Sequence, residues 1–290
     1  MKRLLVTGAG GLLGSHLVRL AHQGFETLGI CHSHQPGLPG RTAQVDLTDH
    51  VRVERMVREF HPATIVHAGA MSLPVECEKQ PELARRVNVD ATRHLAMLAG
   101  KLPARLVFIS TDLVFDGKKG NYREEDPVNP LGHYAGTKLE GEQETARHAP
   151  DHVIVRATLM VGYSPRGNRS VNETMKLALD RGETLPLFHD EFRNLVGAKN
   201  LAECILELGQ RTETGIFHLS GPERRSRYDW GVLLARHFGW DLGRLKSVSR
   251  HEYQGNPPRP PDVSMDVGKA RRLLKTPIKR IEEILVDLDH

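Results

Sequence analysis

The chain has 290 residues, 39% of them hydrophobic and 26% charged, with 40 Lys and Arg against 36 Asp and Glu for a formal charge of +4. These values exclude a disordered chain, and no apolar run approaches the roughly 18 residues that a membrane-spanning helix needs. The length suits one large domain or two small ones, and +4 spread over interleaved acids and bases is too slight to mark a nucleic-acid surface.

In chain order, Arg3–Thr7 reads as a buried strand and Leu12–Gln23 as a helix with Leu13, Leu17, Leu20 and Ala21 at helical spacing. Thr27–Cys31 is a second strand, and a short third one begins at Gln44-Val45. His50–Phe60 is a helix that Pro62 ends, and Thr64–His67 is a fourth strand. Pro81–Gly100 reads as one long helix, Arg105–Ser110 as a fifth strand, His133–His148 as a helix and His152–Arg156 as a sixth strand. Strands alternating with helices of this length imply right-handed crossovers. The expected fold is therefore α/β, a Rossmann-type doubly wound parallel sheet. Beyond Arg156 the alternation decays into helices at Val171–Arg181, Asn200–Gln210 and Tyr228–Phe238, a strand at Gly215–Leu219 and a rigid Pro-rich loop at Gly255–Pro261. The expected division is a cofactor-binding Rossmann domain over 1–160 and a smaller C-terminal α/β substrate lobe over 161–290, with room for later segments to return to the sheet.

Cys31, Cys77 and Cys204 are odd in number and widely spaced, so no disulfide framework is expected. The opening Met-Lys-Arg-Leu-Leu-Val-Thr-Gly is too short in apolar residues for a signal-peptide core, and a cytoplasmic location is the expectation. No His-Glu-x-x-His spacing occurs among the 16 histidines. Cys31-His32-Ser33-His34 is the one dense patch, and no metal is expected. Basic clusters at Arg224, Arg225 and Arg227 and at Lys269–Arg272 through Arg280 read as solvated faces first and as sites for an anionic small molecule second.

Residues Thr7–Gly14 read Thr-Gly-Ala-Gly-Gly-Leu-Leu-Gly, directly after a strand and opening a helix. Gly8 suits the tight turn, Gly11 admits a pyrophosphate against the backbone, and Gly14 lets helix and strand pack closely. The helix N-terminus beyond Gly10 and Gly11, including Leu12 and Leu13, supplies unsatisfied N–H groups and a partial positive charge. On the adenosine side, the second strand ends Cys31-His32-Ser33-His34 without the acid that binds an NAD ribose 2′-hydroxyl. That absence admits NADP, with Ser33, His34 or Arg41 as candidates for the 2′-phosphate and a plain loop as the alternative. Asp46-Leu47 lies where an acid could reach the adenine amino group.

Tyr134 and Lys138 stand at i and i+4 in a predicted helix, on one face. A neighbouring ammonium is expected to pull a phenol's pKa down toward working range. Ser110-Thr111-Asp112 ends the fifth strand, where a parallel sheet's ligand crevice lies, and a hydroxyl there can hold a carbonyl oxygen beside the phenol.

The order of glycine turn, strand-end hydroxyl and Tyr/Lys pair resembles an extended short-chain dehydrogenase/reductase, and within that superfamily the dTDP-4-dehydrorhamnose reductase family. The resemblance rests on Ile109-Ser-Thr-Asp-Leu-Val-Phe-Asp-Gly117, Glu125-Asp126-Pro-Val-Asn-Pro130 and Tyr134-Ala-Gly-Thr-Lys-Leu-Glu-Gly-Glu142. Val66-His-Ala-Gly-Ala-Met71 is similar to the family's Asn-Ala-Ala-Ala segment and Val87-Asn88 to its Val-Asn pair. Weaker likeness runs through Arg156, Gly167-Asn168, Phe192-Arg193 and Arg259-Pro260.

The resemblance implies an NADPH-dependent reduction of a nucleotide-linked 4-keto-6-deoxy sugar, with NAD as the alternative cofactor. Tyr134 would act as general acid, Lys138 would lower its pKa and bind the nicotinamide ribose, and Thr111 would hydrogen-bond the keto oxygen. The implied cofactor set is Gly8, Gly10, Gly11, Leu12, Leu13, Gly14, His32, Ser33, Asp46, Leu47, Ala68, Gly69, Ala70, Tyr134 and Lys138. Asp112 and Arg193 are candidate substrate contacts, and a homodimer is the family-based expectation. Leu113, His67, Gly69, Leu195 and the segment 197–200 depart from the family's pattern, which leaves the sugar more open than the reaction type. Two other readings stand beside it. One is an NAD-dependent sugar-nucleotide epimerase or dehydratase. The other is a non-catalytic regulatory subunit of the kind that methionine adenosyltransferase uses.

Overall fold

A computed structural model describes residues 1–33 and 37–289. The elements of the first half are β1 (Lys2–Thr7), α1 (Leu12–Ala21), β2 (Phe25–Cys31), β3 (Arg41–Gln44), α2 (His50–Phe60) and β4 (Thr64–His67), followed by α3 (Pro74–Lys79), α4 (Pro81–Arg85), α5 (Ala91–Lys101), β5 (Arg105–Thr111), α6 (His133–His148) and β6 (His152–Ala157). The second half contributes β7 (Leu159–Val161), α7 (Val171–Asp180), β8 (Leu185–Phe188), β9 (Phe192–Arg193), β10 (Leu195–Gly197), α8 (Ala198–Leu208) and β11 (Gly215–Leu219). It continues with β12 (Arg225–Ser226), α9 (Arg227–Phe238), β13 (Leu245–Val248), α10 (Gly268–Leu273) and α11 (Ile281–Leu288).

Seven strands form one parallel sheet in the order β11-β6-β5-β4-β1-β2-β3. This is the Rossmann-type sheet that the alternation predicts. β4, β5 and β6 are buried along nearly their whole length, with apolar centres, because helices cover both sides. One apolar layer joins α1 and α8 to the sheet through Leu13, Leu17, Leu201 and Ile205; the opposite layer joins α2 and α5 through Val53, Val57, Leu95 and Leu98. The strand order reverses between β1 and β4, whose C-terminal residues Thr7 and His67 lie side by side. In an open α/β sheet that reversal point is where ligands bind. Gly215–Leu219 extends the sheet next to β6. Helices α7, α9 and α11 with β8 and β13 pack a separate apolar cluster around the fully buried Trp230.

Two local expectations differ from the structure. The third strand occupies Arg41–Gln44 and ends where the pattern had it begin. Its residues are mostly exposed at the sheet edge, so the apolar signal starts only at the buried Val45. The expected long helix at 81–100 is interrupted by a π turn over Arg86–Asp90. Such turns widen a helix locally and are frequent at functional sites. Here Asn88 within the turn accepts from Met71 N at 2.8 Å, and its amide donates to Met71 O at 3.1 Å and Thr137 Oγ1 at 3.0 Å. The turn thereby ties the loop after β4 to α6.

Candidate functional site

The glycine turn follows from close backbone approach. Gly8 has φ +69°, and a Cβ there would stand 2.7 Å from both Cα and N of Gly69. A Cβ at Gly14 would stand 2.1 Å from Gly8 O, and one at Gly69 2.6 Å from Leu47 Cδ1. The turn is closed by Gly11 N donating to Gly8 O at 2.9 Å, and α1 begins after it with no side-chain cap on its first N–H groups. Gly8, Gly10 and Gly11 keep partial exposure at the sheet's reversal point, and the first-turn N–H groups of Leu12, Leu13 and Gly14 have no side-chain cap. That cradle fits a pyrophosphate.

The loop after β4 packs directly against the glycine turn. His67 Nδ1 lies 2.7 Å from Thr7 Oγ1 and Nε2 lies 2.9 Å from Thr92 Oγ1. Thr92 commits its hydrogen to Asn88 O at 2.6 Å, so the imidazole carries its proton on Nε2 and accepts from Thr7 at Nδ1. Thr7 Oγ1 in turn accepts from Gly69 N at 3.1 Å. Burial pushes the His67 pKa down to about 3, helped by the charge of Lys138, so the ring is neutral. This network holds Ala68, Gly69 and Ala70 against the glycine turn.

The adenosine side departs from the sequence reading. His32 is exposed and Ser33 half-buried just beyond β2, while His34 lies outside the described residues. Arg41 pairs with Leu28, three residues before the end of β2, and stacks over Phe60 near Glu26. It is therefore at the wrong end of the strand for a ribose phosphate. Ser33 instead accepts a hydrogen bond of 2.6 Å from Arg166, a residue the sequence did not single out. Asp46 is held below the usual carboxylate range by hydrogen bonds from Thr48 N and Oγ1.

At the C-terminal end of β5, Thr111 and the first turn of α6 face each other. The Thr111 hydroxyl donates to Asp112 Oδ1 at 3.2 Å and stands near enough to the Tyr134 phenol to ease its ionisation, and Lys138 lies one turn further along the same helix face. The Tyr134 ring keeps some exposure, while its hydroxyl is enclosed. Burial, reinforced by the Asp112 carboxylate, pushes that phenol up to about 12. Burial pushes Lys138 down to about 7 against the pull of Glu142, with its ammonium 4.1 Å from the Phe108 ring centroid. The expected lowering of the phenol by the ammonium is reversed here. Both groups are desolvated, and Asp112 is the charge that the phenol meets.

Asp112 and Arg193, expected as substrate contacts, hold each other. Arg193 Nε donates to Asp112 Oδ2 at 2.9 Å, and its Nη2 donates to Oδ1. Thr158 Oγ1 donates to Asp112 Oδ2 at 2.7 Å, and Trp230 Nε1 anchors Arg193 O at 2.8 Å. Asp112 is fully buried and Arg193 nearly so. Beside them Arg227 is enclosed and pushed down to about 10, first by burial and then by Arg193 and Arg259 against the pull of Glu191. Arg227 Nη1, Arg259 Nε and Glu191 Oε2 have no hydrogen-bond partner among the described residues. Arg227 belongs to a cluster that the sequence read first as a solvated face; it is half-buried, with its guanidinium among the charges of Arg193, Arg259 and Glu191.

A cleft of about 600 Å³, including its open mouth, leads to Tyr134. Leu113, Phe115, Leu131, Glu191, Tyr253 and Arg259 are among the residues lining it. Leu113 thus occupies the wall where the resembled family has tyrosine. Of the remaining departures, Asn200 is structural, holding Pro277 O and Lys279 N. No group of three His, Cys, Asp or Glu able to hold a metal, and no helix long and apolar enough to cross a membrane, occurs among the described residues.

The family model described as the RmlD substrate binding domain matches residues 1–288. The chain belongs to that family. Among its relatives, a probable low-salt glycan biosynthesis reductase of Haloferax volcanii is 31% identical, with 98% of this chain and 96% of that one covered. Methionine adenosyltransferase 2 subunit beta of Pongo abelii is also 31% identical, covering 94% of this chain and 82% of that protein. Among solved structures, a hypothetical dTDP-4-dehydrorhamnose reductase from Sulfolobus tokodaii is 34% identical with a TM-score of 0.84, covering 95% of this chain and 96% of the other. The dTDP-4-dehydrorhamnose reductase of Bacillus anthracis in complex with NADP has a TM-score of 0.89 at 24% identity, with 100% and 99% covered. The RmlD-family fold thus extends across both halves of the chain.

Proposed function

We propose that this RmlD-family chain is an NADPH-dependent reductase of a nucleotide-linked 4-keto-6-deoxy sugar. The observation that carries the reading is Tyr134 lining a cleft that also reaches Arg259, with Thr111 at the end of β5 beside the phenol. The reductase relative from Haloferax volcanii and the reductase structure from Sulfolobus tokodaii support it. Residues 1–160 hold the cofactor in this reading, and residues 161–290 shape the substrate side.

The dinucleotide, when bound, supplies a hydride, and the chain's residues supply the proton and the geometry. A phenol held near 12 keeps its proton at neutral pH, so Tyr134 would hold in place the proton that a reduced carbonyl oxygen needs. Thr111 orients that oxygen from the strand side. Lys138, held near 7 and one helical turn from Tyr134, would provide a proton close to neutrality with which to recharge the phenol. Arg227 and Arg259, crowded and incompletely satisfied, offer their N–H groups to the diphosphate of a nucleotide sugar. The apolar wall of Leu113, Phe115 and Leu131 suits a deoxy sugar face.

The test is NADPH oxidation by purified protein with a panel of nucleotide-linked 4-keto-6-deoxy sugars, beside Tyr134→Phe. We expect turnover with at least one sugar, reduced about 10²–10⁴-fold by the substitution. No Tyr134-dependent oxidation across the panel overturns the reading. A second reading, a cofactor-binding regulatory subunit, is favoured by the likeness to methionine adenosyltransferase 2 subunit beta. Co-elution with a separate enzyme, together with absence of turnover, would support it.

A further inference from the structure

The segment 162–170, from the second half of the chain, runs from the helix that follows the glycine turn to the end of β2. Its base rests on the glycine turn's helix: a Cβ at Gly162 would meet His16 Nε2 and Leu12 Cδ1, each at 3.5 Å, and Ala198 Cβ at 3.0 Å. Its tip reaches the end of β2, where Arg166 Nη2 donates to Ser33 Oγ at 2.6 Å. Glu173 on α7 holds both feet of the segment. Its Oε1 accepts from Ser164 N at 2.6 Å, and its Oε2 accepts from Ser164 Oγ at 2.8 Å, Arg169 N at 2.9 Å and Ser170 N at 3.0 Å. The turn between is closed by Gly167 N on Ser164 O at 3.0 Å, with Gly167 at φ +67°. Glu173 is buried, so the feet are fixed while Arg166 at the tip stays exposed.

We infer that Arg166 and Ser33 form a clasp that takes the 2′-phosphate of NADP(H) and sets the preference for it over NAD(H). The inference rests on the dinucleotide-binding part of the proposed function. Three observations converge on it. A dinucleotide whose pyrophosphate lies on the first turn of α1 places its adenosine ribose at the end of β2, where Ser33 stands. The chain has no Asp or Glu at 31–34 to repel a phosphate there or to bind a free 2′-hydroxyl. A guanidinium already sits within hydrogen-bond distance of that serine, and its planar fork with several donors matches phosphate oxygens. The clasp's cation comes from the far side of the groove, not from the strand end that normally carries it. Cofactor choice would therefore be coupled to the placement of the C-terminal half, since the same segment that reads the phosphate also packs on the helix that follows the glycine turn.

The test is direct binding of NADPH and NADH, followed by nicotinamide fluorescence, with 2′,5′-ADP and 5′-AMP as competitors. Wild type, Arg166→Ala and Ser33→Asp are compared, with thermal unfolding to verify the fold. We expect wild type to prefer NADPH and 2′,5′-ADP. Losing a hydrogen bond to a charged group should weaken both by roughly 10–100-fold in Arg166→Ala, while NADH changes by less than about threefold. Ser33→Asp should invert the preference. Equal affinity of wild type for the two cofactors overturns the clasp, as does binding of neither. Equal losses for NADPH and NADH in Arg166→Ala overturn it too, because they mark a merely structural segment. Retained preference in that variant also refutes it. Tight, Arg166-dependent NADPH binding without reduction of any keto sugar would sustain the clasp and overturn the proposed reaction.

Discussion

Replacing Asp112 by Asn tests how the interior of the site is held. The substitution keeps the side chain's shape but removes the charge that faces Arg193 through two hydrogen bonds. Asp112 is 0% and Arg193 8% exposed, so solvent cannot take over the role of the lost partner. Breaking such a pair from one side costs about 3–5 kcal/mol, because an uncompensated charge stays buried. For a domain of this size that corresponds to a fall in Tm of roughly 6–20 °C. Denaturant unfolding of Asp112→Asn, Arg193→Met and the double variant should show non-additivity, with the double variant losing less than the sum of the singles. A second consequence reaches the chemistry. Asp112 raises the Tyr134 phenol, so its loss lowers that pKa. The alkaline limb of the pH–rate profile should then move to lower pH. An Asp112→Asn protein within about 1 kcal/mol of wild type, with an unmoved alkaline limb, would refute both steps.

Three further outcomes follow. His67 and His218 are both held near 3 by burial, below the ordinary 6.5, so each contributes stability that is complete above pH 6.5 and is lost as the pH falls toward 3. At pH 5 the loss is about 2 kcal/mol for each, and urea unfolding of His67→Asn should show a flatter acid slope. Gly14→Ala should destabilise the fold by about 1–3 kcal/mol and abolish dinucleotide binding in a fluorescence titration, because the new Cβ meets Gly8 O. Gly136→Ala, in α6 with nothing within 4 Å of its Cβ position, should instead raise stability by about 0.5–1 kcal/mol in thermal unfolding.

Periodicity and turn chemistry made most of the sheet legible before any coordinates. β4, β5 and β6 have apolar runs at their centres, and Gly8, Gly11 and Gly14 stand where a strand passes into a helix. These are local signals: a strand covered on both sides must be continuously apolar, and a turn that admits no Cβ must be glycine. The i, i+4 spacing likewise placed Tyr134 and Lys138 on one helical face. The π turn at Arg86–Asp90 escaped notice because its cause is a set of distant partners, Met71 and Thr137, which Asn88 joins.

Electrostatics was the part least visible in the sequence. Spacing suggested that Lys138 would lower the phenol of Tyr134, but burial and Asp112 raise it, and burial is a property of the packed interior. Arg227 looked like part of a surface run, and only the docking of α9 beside Glu191 encloses it. Arg166 carried no local signal at all, because its partner Ser33 is 133 residues away. The amino-acid sequence by itself determined the Rossmann sheet, the glycine cradle and the residue types of the Thr111, Tyr134 and Lys138 set, each encoded within one strand, turn or helix. Only the tertiary structure decided which charges face one another and which cation reaches the cofactor's adenosine end. Coulomb and desolvation energies depend on distance and burial in space, and neither is written in the order of the chain.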